Sequence, residues 1–385
     1  MKILHVIDSC DPKIGGPIEG IKQLNMMYRK YNISVNLLSS NTSTEIIKFK
    51  KDLPKIYATG PSLGKFSYNK KMLIWLQEKI NNYSLVFVHG IWQYHNYAVW
   101  KIAKKNNIPF FIFPHGSLDP WFNQKYPLKY IKKIIYWYLL QYKILSDSSG
   151  LIFTSNSELR RACKSFNIKK IKKFNVRYGI NGNPLYPFKK DMLFEKKLNL
   201  PNKKLILYIG RISEKKGIDI LIKSFFQILK ISKDFHLVIA GPSDKKYLKF
   251  LYTLIPAELT SNISWPGPLY GDDKWKLLNS CSLFCSASHQ ENFGISIVEA
   301  LSSKKPVLTT NKVNIFKTIK KYNAGIITND NYKSFLNGFK RFIYLDKKDY
   351  DCMKKNSYKC FQEKFHLNNY FIDLKKILIK TNKRK

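Results

Sequence analysis

The sequence predicts two Rossmann-like, doubly wound α/β domains facing each other across a cleft, and three observations carry that reading. The chain has 385 residues, which at roughly 150 residues per domain gives two domains of ordinary size. Short β-branched runs alternate with helical patterns along its whole length, as parallel sheets covered on both faces require. A stretch rich in Gly, Asn and Pro, from about Gly179 to Lys190, separates one such alternation from a second. We accordingly place one domain at 1–182, a second at 190–365, and a C-terminal helix with a basic tail at 366–385.

In chain order, Ile3 to Ile7 reads as a strand that ends at Asp8. A turn-rich loop from Ser9 to Pro17 follows, with a helix opening at Ile18. Further strands are expected at Ser34 to Leu38, Leu85 to Val88, Phe110 to Phe113 and Leu151 to Phe153, with helices at Lys70 to Asn81 and Tyr97 to Lys105. Past the linker, strands are expected at Leu205 to Ile209, Phe235 to Ala240, Ile263 to Trp265, Ser282 to Cys285 and Pro306 to Thr309. The helices between them fall at Asp219 to Leu229, Lys245 to Ile255 and Asp272 to Asn279, and from Ile295 onward. Asp272 and Asp273 read as an N-cap with first-turn charge rather than a metal motif. Tyr370, Phe371, Leu374, Ile377 and Leu378 have helical spacing, which permits a last helix that crosses back to the first domain.

Composition narrows the function classes. Hydrophobic residues are 44% and charged residues 24% of the chain, which excludes a disordered or collagenous protein. The most apolar run, Ile134 to Leu140, is far shorter than the roughly 18 residues of a membrane span. Basic residues number 67 against 26 acidic, a net charge of +41. That excess invites a nucleic-acid or membrane partner, yet it is spread evenly over both halves and is mostly Lys, whereas nucleic-acid readers rely on Arg. Coding bias and attraction to an anionic membrane surface both account for it. The run from Lys129 to Leu145 mixes Lys with aromatics. We expect Ile134, Ile135, Trp137, Tyr138 and Leu139 to pack in the core, with a membrane-surface helix as the alternative. Six cysteines form no C-x-x-C pair and read as free thiols in a reducing compartment. Cys281, Cys285 and His289 sit four apart, but Leu283 and Phe284 between them suggest a buried strand. The apolar run at the N-terminus is too short for a signal peptide, so a cytoplasmic location is expected.

Four motifs carry chemistry. Gly210-Arg211 closes a strand and Lys216-Gly217 precedes a helix, so backbone can come close while two cations face a diphosphate; a solvated turn would look the same. Glu291-Asn292-Phe293-Gly294-Ile295 enters a helix carrying Glu299, which puts two carboxylates and a helix N-terminus at one strand end. Gly15-Gly16-Pro17 is either a turn or a backbone cradle for phosphate. His89 and His115 each follow a strand directly, and Trp92, His95 and Asp119 lie just behind them.

GRISEKKG (210–217), ENFGISIVE (291–299) with its E-x7-E spacing, and Gly15-Gly16 together resemble the retaining family-4 glycosyltransferases of GT-B fold. HGIWQYH (89–95) and PHGSLDPW (114–121) look like a bacterial branch involved in surface-polysaccharide assembly. The resemblance implies that Arg211 and Lys216 grip the donor diphosphate and stabilise charge as the glycosidic bond breaks. It assigns Glu299 to the ribose hydroxyls and Glu291 to the transferred sugar. Asn292, Phe293, Gly294 and Ile295 close on sugar and phosphate, while Gly15 and Gly16 let the first loop approach the diphosphate. His115 stands beside the donor sugar, and His89, Trp92, His95 and Asp119 lie on the acceptor side. Where the family commonly has Gly two residues before a Pro, this chain has Lys304, followed by Lys305 and Pro306.

The implied activity is a metal-independent hexosyltransferase, without cofactor. It acts on a nucleotide-diphosphate sugar and a glycan or lipid-linked glycan, in O-antigen, capsule or exopolysaccharide synthesis. It would work in the cytoplasm or peripherally at the inner face of the cytoplasmic membrane, with no nucleic-acid partner. Two other readings stand beside it: a nucleotide-sugar epimerase of similar architecture, and a basic nucleic-acid-binding protein, which predicts Arg clusters and steep salt dependence.

Overall fold

A computed structural model of the chain describes residues 1–12, 15–48, 52–125, 127–185 and 187–382. It divides into two compact units, Met1–Tyr178 with Tyr370–Lys385, and Gly179–Asn369. Each is a parallel sheet covered by helices.

The first unit is built on strands β1 (Lys2–Ile7), β2 (Ser34–Ser39), β3 (Lys55–Ala58), β4 (Leu85–His89), β5 (Phe110–Phe113), β6 (Gly150–Phe153) and β7 (Lys173–Asn175). Their order in the sheet is β3-β2-β1-β4-β5-β6-β7, every pairing is parallel, and the chain reverses direction across the sheet after β3. The carboxyl ends of β1 and β4 therefore lie side by side at that switch, with Ile7 opposite His89, where open α/β sheets bind ligands. The strands are apolar throughout because both faces are buried: Val86, Phe87, Val88, Ile112 and Phe113 have no exposed surface. Helices start where a short polar side chain satisfies a free N–H, as Asn69 does for Met72 N at 3.0 Å and Ser155 for Glu158 N at 3.1 Å.

The second unit holds β8 (Lys204–Ile209), β9 (Phe235–Ala240), β10 (Ile263–Gly267), β11 (Cys281–Ser286), β12 (Val307–Thr310) and β13 (Gly325–Thr328). They are ordered β10-β9-β8-β11-β12-β13, with the switch between β8 and β11. Cys281 and Cys285 are buried within β11.

Several expectations shift. The change of unit falls at Tyr178/Gly179, because Ile180 already pairs with the second unit, donating to Phe365 O at 2.9 Å and accepting from Leu367 N at 2.8 Å. Helix Tyr94–Lys105 begins three residues earlier than its periodicity suggests, which takes His95 into the first turn. Helix Gly271–Ser280 has Tyr270 as its N-cap, so Asp272 and Asp273 supply first-turn charge and neither is the cap. The segment Pro127–Tyr136 and the turn Trp137–Gln141 correct the packing expectation. Trp137 is buried at 3% exposure, but Ile135, Tyr138 and Leu139 stand at 56%, 79% and 76%. Ile135 and Leu139, two positions either side of Trp137, fall on the opposite side of the helix and Tyr138 about a quarter-turn round, so the face that buries the indole turns them outward.

Candidate functional site

In the second unit the loops after β8 and β11 are tied together. Gly217 has φ of 62°, and a Cβ there would lie 2.2 Å from Ala287 O. Only glycine permits this approach in the left-handed region. His289 N donates to Lys215 O at 2.9 Å, which continues the seam. Across it the Lys216 ammonium contacts Oε2 of Glu291.

Glu291 is fixed from every side. Its N–H donates to Lys312 O at 3.2 Å and its carbonyl accepts from Asn314 N at 3.0 Å, while Oε1 accepts from Asn292 N at 3.1 Å. Burial pushes its pKa up, but the charges of Lys216 and Lys215 outweigh burial and hold it below the ordinary glutamate value. Asn292 is held in turn by Asn314 Nδ2 at 3.1 Å. Gly294, with φ of 76°, caps helix Ile295–Ser302, and a Cβ there would sit 3.3 Å from Glu291 Cγ. Phe293 is buried against Phe365, and Ile295 is the first residue of that helix. Glu299, on the same helix, is 5% exposed and pairs with Lys274, a partner 25 residues away that sequence gave no reason to single out. Arg211 is exposed at the end of β8, and its carbonyl accepts from Tyr208 Oη at 2.8 Å. Beyond the helix, Lys304 has φ of 58°, so the departure from glycine falls on a left-handed residue. Its ammonium lies over the rings of Phe188 and Tyr358 at 5.7 and 5.3 Å.

In the first unit Gly15 is the N-cap of helix Gly16–Lys30, and Gly16 is its first residue, with its carbonyl accepting from Tyr178 Oη at 3.1 Å. His89 ends β4 and His115 follows β5. His115 has φ of 49° and Trp92 has φ of 78°, uncommon for side chains of this bulk and a form of strain that recurs at functional sites. The His115–Gly116 turn is anchored by buried Glu158, whose carboxylate accepts from Gly116 N at 2.7 Å, Thr154 N at 2.8 Å and Thr154 Oγ1 at 2.7 Å.

The two imidazoles meet: His89 Nδ1 lies 3.0 Å from His115 Nε2. A third, not anticipated from sequence, continues the line. His5, in the middle of β1, places Nδ1 2.8 Å from His89 Nε2 and Nε2 3.1 Å from Tyr28 Oη. Burial keeps all three rings neutral, with His5 and His115 lowered to about 3 and His89 well below its ordinary value.

The remaining first-unit candidates are engaged locally. His95 is buried and donates Nε2–H to His89 O at 3.0 Å. Asp119 accepts from Trp121 N at 3.0 Å and pairs with Arg161 at 3.4 Å. Trp92 packs against Phe166 and Trp137 and donates to Ser117 O at 3.4 Å. Asp8, at the end of β1, accepts from Ser67 and Gln93 at 3.0 and 2.8 Å.

Residues 189–360 match the family described as Glycosyl transferases group 1; this stretch holds Arg211, Lys216, Glu291 and Glu299. An uncharacterized glycosyltransferase of Methanocaldococcus jannaschii is 30% identical over 196 residues, 49% of this chain and 48% of the relative. The capsular polysaccharide biosynthesis glycosyltransferase CapM of Staphylococcus aureus is 28% identical over 203 residues, 49% and 50% of the two chains. The chain thus spans about half the length of the curated relatives it matches. Among solved structures, Anabaena HepE in complex with UDP and glucose has a TM-score of 0.80 at 16% identity, over 99% of this chain and 100% of that one. The sucrose-phosphate synthase from Thermosynechococcus elongatus has a TM-score of 0.82 at 16% identity over 100% of both. The fold is that of the GT-B glycosyltransferases, and the match to the group 1 family lies within residues 189–360.

Proposed function

We propose that the protein is a retaining, metal-independent hexosyltransferase. It moves a sugar from a nucleoside-diphosphate donor to a glycan or lipid-linked glycan in bacterial surface-polysaccharide assembly. One observation carries this reading: the Lys216–Glu291 contact, which joins the two loops at the switch of the second sheet. Arg211 and Lys216 take the diphosphate and stabilise the charge that grows on it as the sugar leaves, the work a metal ion would otherwise do. Glu291, kept ionised by its lysines, accepts from the sugar hydroxyls, with Asn292 to Ile295 closing on sugar and phosphate. Glu299 accepts from the ribose. From the first unit, His115 is assigned to the donor sugar or departing phosphate and Gly15-Gly16 to the diphosphate. The UDP and glucose bound in HepE and the capsular role in the name of CapM support this choice of substrates.

A peripheral contact with anionic membrane belongs to the same reading. No helix among the described residues is long and apolar enough to cross a membrane. Yet Leu128, Ile131, Ile135, Tyr138 and Leu139 are 56–79% exposed along one stripe, with exposed Lys125, Lys129 and Lys132 beside them, the make-up of an interfacial helix.

A thermal-shift and calorimetric screen against UDP, GDP, ADP and dTDP and their sugars, in EDTA, tests the proposal. Stabilisation by one nucleotide, lost in Arg211→Ala, is expected, and NMR of the product should show the donor's anomeric configuration. Conversion of a nucleotide sugar without any acceptor would instead mark an epimerase. Silence toward every nucleotide with tight, salt-dependent oligonucleotide binding would mark a nucleic-acid protein.

A further inference from the structure

The three imidazoles are joined to a phenol, and the phenol gives the line a direction. Tyr28 is fully buried, and among the described residues His5 Nε2 is the hydrogen-bond partner of its hydroxyl. A phenol that accepted from His5 would leave its own proton buried without an acceptor, which is disfavoured by about tenfold or more. Tyr28 O–H therefore donates to His5 Nε2. A neutral imidazole carries one N–H, so His5 must carry its proton on Nδ1 and donate it to His89 Nε2, 2.8 Å away. By the same rule His89 carries its proton on Nδ1 and donates to His115 Nε2 at 3.0 Å. The rings lie edge to edge in nearly parallel planes, 16° for both His5–His89 and His89–His115, so a turned ring would put a C–H in place of each bonded nitrogen and break the line.

We propose that Tyr28, His5 and His89 are positioning residues that fix the tautomer of His115, placing its proton on Nδ1. These proton positions are assigned from the hydrogen-bond network. The consequence is chemical: His115 presents a donor without a charge. It can hydrogen-bond a sugar hydroxyl oxygen or a phosphate oxygen, and it cannot act as a base at that nitrogen. What the donor meets rests on the transferase reading; the tautomer itself does not.

The full-length protein, labelled with ¹⁵N-histidine, tests this by long-range ¹H–¹⁵N correlation at neutral pH. His115 should show a protonated Nδ1 and a bare Nε2. Tyr28→Phe keeps the ring and its packing but removes the proton that sets the direction. Its Nε2–H tautomer at His115 should rise from under about a tenth to about half of the population. His5→Phe, which cuts the line at the next link, should do the same. With the cognate donor, kcat in Tyr28→Phe should fall about fivefold while KM holds. A wild-type proton on Nε2, or an unmoved tautomer in both variants, overturns the proposal. If the tautomer responds as expected while the protein binds no nucleotide and transfers no sugar, the transferase reading fails and the positioning line stands.

Discussion

Lys216 and Glu291 lie 75 positions apart in sequence, and the fold makes them one unit. Each leaves a problem behind when the other is removed: Glu291 without Lys216 is a largely enclosed carboxylate with its main counter-charge gone, and Lys216 without Glu291 loses the contact that fixes its ammonium. Lys216→Ala and Glu291→Ala should each lower kcat/KM by about 10²–10³-fold, and the double variant should be little worse than either single one. Additive losses in steady-state assays would show that the two act separately. At Glu158 the concern is stability rather than chemistry. Its carboxylate satisfies three donors, Gly116 N in the turn carrying His115 and the N–H and hydroxyl of Thr154, so Glu158→Ala should cost about 3 kcal/mol in urea unfolding, well beyond a surface substitution.

Among the elements, helix Ile295–Ser302 and the Pro127–Tyr136 segment make opposite points. The turn after the first places Lys304 in the left-handed region, where a glycine would be unstrained. Lys304→Gly and Lys304→Ala both lose the ring contacts, so their difference isolates the backbone, and the glycine variant should be the more stable by about 1 kcal/mol. The second carries the exposed stripe. Wild-type protein should sediment with vesicles rich in phosphatidylglycerol and not with pure phosphatidylcholine, and Tyr138→Asp with Leu139→Asp should abolish that binding without changing the melting temperature. These elements also mark how far sequence reaches. Central strands such as Leu85–His89 are legible because burial on both faces demands unbroken apolar runs. The edges β3, β7 and β13 are not: Lys55–Ala58 and Lys173–Asn175 are short, half-exposed and begin on Lys, and Gly325–Thr328 begins on a glycine. Glycine loops and the E-x7-E spacing point to the second-unit site because their geometry is local. His5, Tyr28 and Lys274 were invisible, since what makes them matter is a partner brought close only by sheet order and helix packing. The Tyr138 stripe was misread because periodicity reports a helical face and not which way that face turns.

Across the whole molecule, six of seven histidines are lowered by burial: His5 and His115 to about 3, His236 to about 4, and His89, His95 and His366 in the same direction. Unfolded, each returns to about 6.5. Between those values the unfolded chain binds protons that the folded one refuses, so stability is fully present above about pH 6.5 and falls as the pH is lowered. The urea midpoint should drop between pH 7 and pH 5, and His5→Phe should flatten the fall in stability by up to about 1 kcal/mol per pH unit. The chain path has a bearing on synthesis too. The first unit is assembled from two stretches, and the later one supplies Phe371, stacked on Tyr31 at 4.7 Å and edge-on to Tyr28, and Asp373, paired with Arg177 at 2.7 Å. A nascent chain therefore has every strand of its first sheet outside the ribosome while the helix that seals Tyr28 is still untranslated, and the half made first is the half finished last.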